Sequence, residues 1–276
     1  KPIWPIEERA VPASDVPGER AARTQPFPTR PKPITKQGFG ADDLIDFTPE
    51  LKRLAQAELA KWRHGGLFLP PSLQGTIAMP GVIGGSGWGG GAYDPVTQTL
   101  YVKGTNQPAV LRLTQLPRSD TINATYSIDR TASLRIRFPT TNQDGQELPG
   151  LPINKPPYGN LTAVDMRTGE HKWQVTLGDN PAVRNHPLLK DLNLPPLGVP
   201  GSPGPIVTAG GLVFVSGGGS VLYAVDKDTG QTLWHTDLGA RAYSVPMTYR
   251  TREGVQYVVI ATGSGENAVL QAFRLY

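Results

Sequence analysis

The chain has no cysteine, which excludes disulfides, Cys-type zinc and iron–sulfur sites and a C-x-x-C-H haem attachment. Histidine is nearly as scarce. His64, His171, His186 and His235 share no ligand spacing and are expected in surface or turn roles, so no metal site is local to the chain. No apolar run approaches the roughly 20 residues of a membrane span, and no charged-then-apolar leader opens the sequence. The chain opens on Lys1 instead of Met, so either a leader or a larger N-terminal portion is expected to precede it, or it is an internal cut. Lys and Arg never cluster into a run interleaved with aromatics, so the formal charge of +4 reads as solvated surface, not nucleic-acid binding. Gly84-Gly85-Ser86-Gly87 lacks the Lys-Ser/Thr of a phosphate loop, and neither a G-x-S-x-G elbow nor a plausible Ser/His/Asp triad is present.

What the chain does have is turn chemistry. Its 276 residues include 32 Gly and 28 Pro against 38% hydrophobic residues, a mix that favours short strands joined by many turns around a real core. Eight prolines fall within residues 1–40 and leave room for neither a helix nor a central strand. Residues 1–48 therefore read as a Pro-rich extended arm lying on some surface, or as a solvated linker. Thr48-Pro49-Glu50 then supplies an N-cap, a first-turn Pro and an early acid, and Leu51, Leu54, Ala55, Leu59 and Trp62 form an apolar stripe ended by Gly65-Gly66. One helix over 49–64 is predicted, its stripe a packing surface.

Residues 65–276 lose the helical period and alternate short β-rich runs with turns. Two segments in this region satisfy A-x-D-x-x-T-G-x-x-x-W, one from Ala163 to Trp173 and one from Ala224 to Trp234. In this pattern the Asp accepts from the backbone of a tight turn, the Gly supplies positive φ, and the Trp lands on the outer strand, where it can cover a neighbouring sheet. A repeated hairpin with a fixed Trp is the mark of sheets arranged radially.

The second copy sits in a complete blade of strands at 205–208, 212–216, 221–226 and 232–237. The first belongs to a blade of strands at 88–93, 99–103, 161–165 and 171–176, interrupted by a polar, Pro-containing insertion of about 105–157 that is long enough to be functional or to contact a partner. Strands at 244–249, 255–261 and 269–275 leave the last blade one strand short, and nothing in residues 1–40 looks like the missing strand. The fold class is thus all-β, a partial β-propeller of about three blades with one N-terminal helix. A closed ring needs roughly 4 to 8 blades.

The two repeated hairpins resemble the tryptophan-docking motif of pyrroloquinoline quinone (PQQ) dehydrogenases. Phe68 to Thr76, Pro80-Gly81 and Gly87 to Pro95 resemble the C-terminal half of the membrane-bound glucose/quinate/shikimate dehydrogenase group, as do Pro2 to Pro12 and Thr24 to Phe27. That resemblance implies an eight-bladed propeller in the periplasm, membrane-associated through parts not in this chain. It would hold PQQ and Ca²⁺ or a similar ion and pass electrons to ubiquinone or a cytochrome. Asn106 stands where the family has a PQQ-contacting asparagine, with turn capping as the alternative. Trp88-Gly89 lies where the family's chain runs close to the cofactor plane, with plain blade packing as the alternative. The family's catalytic aspartate and most ion ligands belong to an N-terminal half outside this chain. Gly219 stands where glucose-oxidising members have an aspartate, Ser264 where they have a histidine, and Gly87 where alcohol-oxidising relatives have an asparagine. Glucose is therefore disfavoured as substrate, although backbone N–H groups of Gly217 to Ser220 could receive a carboxylate.

The expected function is part of a PQQ-dependent dehydrogenase that oxidises a sugar, polyol or alcohol by hydride transfer to the quinone. Its partner is the N-terminal propeller half, as the same or a separate polypeptide, and the isolated chain is expected to be inactive. The alternative is a non-enzymatic PQQ-repeat propeller used as a binding or assembly scaffold.

Overall fold

The computed structural model describes residues 1–118, 120–121, 123–129 and 136–274. In the arm, β1 (Ile6–Ala10) and β2 (Thr24–Pro28) pair as an antiparallel ribbon. From there the arm runs across the first blade. Arg30 donates to Thr168 O at 3.0 Å, the His171 ring lies 3.0 Å from Lys32 O, and both Asn160 and Gln174 donate to Ile34 O. Side chains of the blade thereby serve the carbonyls of a proline-rich segment too poor in N–H groups to extend a sheet.

Helix α1 (Pro49–Leu59) begins as the sequence dictates, with Thr48 Oγ1 accepting from Leu51 N at 3.2 Å and Pro49 in the first turn. It ends five residues before the predicted 64. Arg63 is drawn into pairing beside β3 (Thr76–Ala78): its N–H donates to Gly75 O and its carbonyl accepts from Ile77 N. Trp62 folds back so that Nε1 donates to Glu58 Oε1 at 2.9 Å. Strand pairing outcompetes the last helical turn.

The first blade is the antiparallel meander β4 (Gly91–Asp94), β5 (Thr99–Thr105), β11 (Gly159–Asp165) and β12 (Glu170–Thr176). Between β5 and β11 the insertion carries β6 (Ala109–Leu111), β7 (Leu113–Gln115), β8 (Tyr126–Ile128), β9 (Arg137–Thr141) and β10 (Glu147–Pro152). Residues 119, 122 and 130–135 of this predicted insertion lie outside the described residues. It is less polar in function than its composition suggests. Ile136, Phe138, Leu151 and Ile153 join Phe39, Leu44, Ile45 and the α1 stripe in a core of their own, closed by Val183, Leu189 and Leu197 from the segment around α2 (Pro181–Arg184).

The second blade is β13 (Ile206–Val207), β14 (Leu212–Val215), β15 (Val221–Asp226) and β16 (Thr232–Asp237). A third sheet holds β17 (Met247–Arg250), β18 (Gln256–Thr262) and β19 (Val269–Phe273). The three-stranded count agrees with the sequence reading, and the predicted end of the last strand at Leu275 lies outside the described residues. Strand β4 starts at Gly91, not Trp88. Gly84 N bonds to Gly81 O and Gly90 N to Gly87 O, so the glycine run turns instead of pairing.

Both repeated hairpins form as their chemistry requires. Asp165 Oδ1 accepts from Arg167 N, Asp226 Oδ1 from the N–H groups of Asp228 and Thr229, and Gly169 and Gly230 hold φ of 72° and 78°. Each copy also carries a register shift just before its turn, between Ala163 and Val164 and between Ala224 and Val225. Trp173 reaches from β12 to the next blade, its Nε1 donating to Lys227 O at 3.1 Å and its ring covering Gly230, where a Cβ would lie 2.9 Å from it. Asp94 and Lys227, both nearly buried, add an ion pair of 2.8 Å across the same interface. Trp234 meets Phe273 of the third sheet edge-on at 5.9 Å. The arm continues the series: Trp4 covers Gly169 as Trp173 covers Gly230.

Candidate functional site

Strands β5 and β14 end, and β11 and β15 begin, at one end of the blades. The loops there meet in a cleft of about 340 Å³, at the small end of the range for ligand sites. The insertion contributes Asn106, Gln107, Arg137 and Tyr158; the links between blades contribute Asp179, Asn180 and Arg241; the second blade contributes Ser216, Gly218 to Val221 and Tyr223.

Much of this lining is already committed to the protein. Arg241 donates two hydrogen bonds to Gly218 O and stacks over Tyr243, while Arg137 donates to Gly150 O. Burial pushes the Asp179 carboxyl up, but hydrogen bonds from Arg184 and from backbone N–H groups outweigh it and hold the group below the usual carboxylate range. Two of the four loop amides suggested for a carboxylate are spent internally: Gly218 N donates to Ser216 Oγ and Gly219 N to Ser216 O.

Beneath these loops lies Lys103, 2% exposed. Its ammonium donates to Gly104 O, Gly201 O and Thr105 Oγ1 at 2.8 to 3.0 Å, with no carboxylate beside it. Burial pushes its pKa down to about 7.

Of the residues singled out from the sequence, Asn106 lines the cleft and Trp88 and Gly89 do not. The Asn106 amide is a tie: Oδ1 accepts from Lys36 N and Nδ2 donates to Pro157 O, each at 2.9 Å, fastening the arm to the end of the insertion. One N–H and one lone pair remain available. Trp88 is 81% exposed. Gly89 is required by packing, since a Cβ there would lie 2.5 Å from Gly204 N. Gly87 is likewise held by Ser202, and Ser264 precedes a short turn away from the cleft. His186, expected in a surface or turn role, is 2% exposed. It accepts from Leu188 N at Nδ1, which leaves Nε2–H to donate to Pro149 O at 2.7 Å, so it pins the insertion to the following segment.

Sequence reasoning missed Lys103, Tyr158 and Asn180. A lysine inside the apolar run Leu100 to Thr105 was a legible signal for the first. The others depend on how the insertion folds back. Among the described residues no group of three or more His, Asp or Glu could hold a metal ion, and no helix is long and apolar enough to cross a membrane.

Four-stranded antiparallel sheets, docked side by side through a repeated tryptophan and with a cleft at one end, define a β-propeller architecture. Residues 1–258 match the family model described as PQQ: glucose/ethanol/alcohol dehydrogenase, β-propeller domain, and the chain belongs to that family. It is 28% identical over 277 residues to the quinate/shikimate dehydrogenase (quinone) of Acinetobacter baylyi, covering 97% of this chain and 34% of that protein. It is 30% identical over 285 residues to the glycerol dehydrogenase large subunit of Gluconobacter oxydans, covering 95% of this chain and 37% of that one. The crystal structure of quinohemoprotein alcohol dehydrogenase from Comamonas testosteroni superposes with a TM-score of 0.44 at 23% identity, over 68% of this chain and 24% of that one. The chain thus spans about a third of the length of the curated relatives it matches.

Proposed function

We propose that this chain is part of a PQQ-dependent dehydrogenase that oxidises a sugar, polyol or alcohol, and that an N-terminal propeller half completes it. The observation that carries this reading is the family match over residues 1–258. The quinate, shikimate and glycerol named for its relatives are all hydroxyl-bearing. Two features of the chain fit a planar quinone: the open indole face of Trp88 next to the backbone of Gly89, and the spare hydrogen-bonding capacity of Asn106. Trp88 would offer the cofactor a flat apolar surface and Asn106 a hydrogen bond, with Gly89 holding the Trp88 segment against Ser202 to Gly204. When bound, PQQ would supply the hydride-accepting chemistry needed to oxidise the substrate carbinol. The residues of this chain bind and orient; the base that removes the hydroxyl proton and most ligands of a Ca²⁺ or similar ion belong to the N-terminal half. The electron acceptor is ubiquinone or a cytochrome, and the compartment the periplasm.

Reconstitution tests the reading. The chain combined with its N-terminal half, PQQ and Ca²⁺ is expected to gain a quinone absorbance that bleaches when a polyol or sugar is added, while the chain alone stays inactive. A complete ring that takes up no quinone, or whose absorbance no such substrate bleaches, refutes it.

A further inference from the structure

Two residues that line the cleft hold a buried oxygen without a hydrogen-bond partner, and a third leaves a helix end uncapped. Asn180, only 7% exposed, precedes α2 in the capping position, yet its side chain makes no capping bond. Tyr158 is 2% exposed and its hydroxyl has no partner; Gln107 Oε1 is also buried without one. Among the described residues the other two such atoms, Tyr101 OH and Asn160 Oδ1, belong to residues that do not line the cleft. Leaving a buried polar group unmatched costs about 1–3 kcal/mol, so two unmatched oxygens beside one space, next to an Asn180 side chain that makes no capping bond, mark a surface that is completed from outside.

We propose that Asn180, Tyr158 and Gln107 are the residues by which this cleft binds a small polyhydroxylated molecule, reading its hydroxyl groups. The chemistry selects hydroxyls. Gln107 Oε1 only accepts, the Asn180 amide both donates and accepts, and burial keeps the Tyr158 phenol neutral, free to donate or accept. Neighbouring hydroxyls, each a donor and an acceptor, match that mixed set, whereas the two arginines are occupied by protein carbonyls. Tyr158 and Gln107 both line the cleft but their oxygens are buried, so a ligand reaches them only when the side chains rotate toward it. The proposal deepens the dehydrogenase reading by naming what faces the substrate, and it can be tested without the cofactor.

The experiment is titration calorimetry of the chain, free of PQQ, with glycerol, myo-inositol and quinate, on the wild type and on Asn180→Ala and Tyr158→Phe. At least one probe is expected to bind saturably, and each variant to weaken it about tenfold, the loss of one good hydrogen bond. Neither variant removes a bond that holds the chain together, so their thermal midpoints without ligand should equal or exceed that of the wild type. The proposal is overturned if no probe binds saturably, if both variants bind as the wild type does, or if Tyr158→Phe lowers the midpoint, which would reveal an internal partner for the hydroxyl. A failed PQQ reconstitution would leave the binding result standing, and absent binding would leave the reconstitution standing.

Discussion

Lys103 occupies the middle of β5 between Val102 and Gly104, and the absence of a counter-charge makes its burial costly in the protonated form. Below pH 7 the folded and unfolded chains both hold the proton, and the full cost is present. Between about 7 and the ordinary lysine value of 10.5 the unfolded chain keeps the proton and the folded chain has lost it, so stability rises with pH across that window. The slope approaches about 1.4 kcal/mol per pH unit for one proton. Lys103→Met removes the titrating group while Thr105 Oγ1 still donates to Gly201 O. Urea denaturation at pH 7 and pH 9.5 should therefore show the wild type gaining stability relative to Lys103→Met. An equal response of the two proteins would refute the assignment. Single residues were the least legible scale in the sequence. Asn106 was singled out through the family resemblance, because it stands where that family has a PQQ-contacting asparagine, but what its amide does depends on Lys36 and Pro157, far away in the chain. The exposure of Trp88 could not be read from a Gly-Trp-Gly-Gly string, because the same glycines serve either a strand or a turn.

The docking hairpin was legible as an element because its parts are local: the Asp, the positive-φ Gly and the Trp all fall within eleven residues. Its energetic content is not local. Trp173 packs against Tyr101 of its own blade, at 5.8 Å between ring centroids, and bonds to Lys227 of the next, so it fastens the two sheets together. Trp173→Ala should destabilise the chain by about 3 kcal/mol, toward the low end for large aromatic truncation because the ring is only partly buried. Urea unfolding reads this as a lower midpoint at unchanged slope. A change of less than about 0.5 kcal/mol would mean that the ring contributes little to the interface. Non-local competition also explains two of the elements misjudged from sequence. The helix stops early because Arg63 pairs with a strand, and the insertion hides a core because its apolar residues are spaced among prolines and polar residues with no clear period.

Across the whole molecule, sheets that dock through a repeated tryptophan need a neighbour on each side, and the described residues satisfy this need unevenly. Trp4 caps the first blade at Gly169, Trp173 joins the first blade to the second, and Trp234 reaches the third sheet, where β19 pairs with β18 alone. Along β19, Val269 is half-exposed and Leu270 is 76% exposed. A strand with one unpaired edge and apolar side chains in water is open to pairing with another strand. If the N-terminal half supplies the neighbour, the β19 amides that point away from β18 should exchange their hydrogens rapidly in this chain alone and become strongly protected when both halves are combined. The β18 amides already bonded to β17 provide the internal reference, since their protection should rise only as far as global stability does. Unchanged β19 exchange in the combined protein would show that ring closure does not run through this edge. The same exchange map distinguishes closure at this edge from docking elsewhere, because protection confined to the cleft loops Gly218 to Val221 would place the second half over the site and leave the blade edge bare.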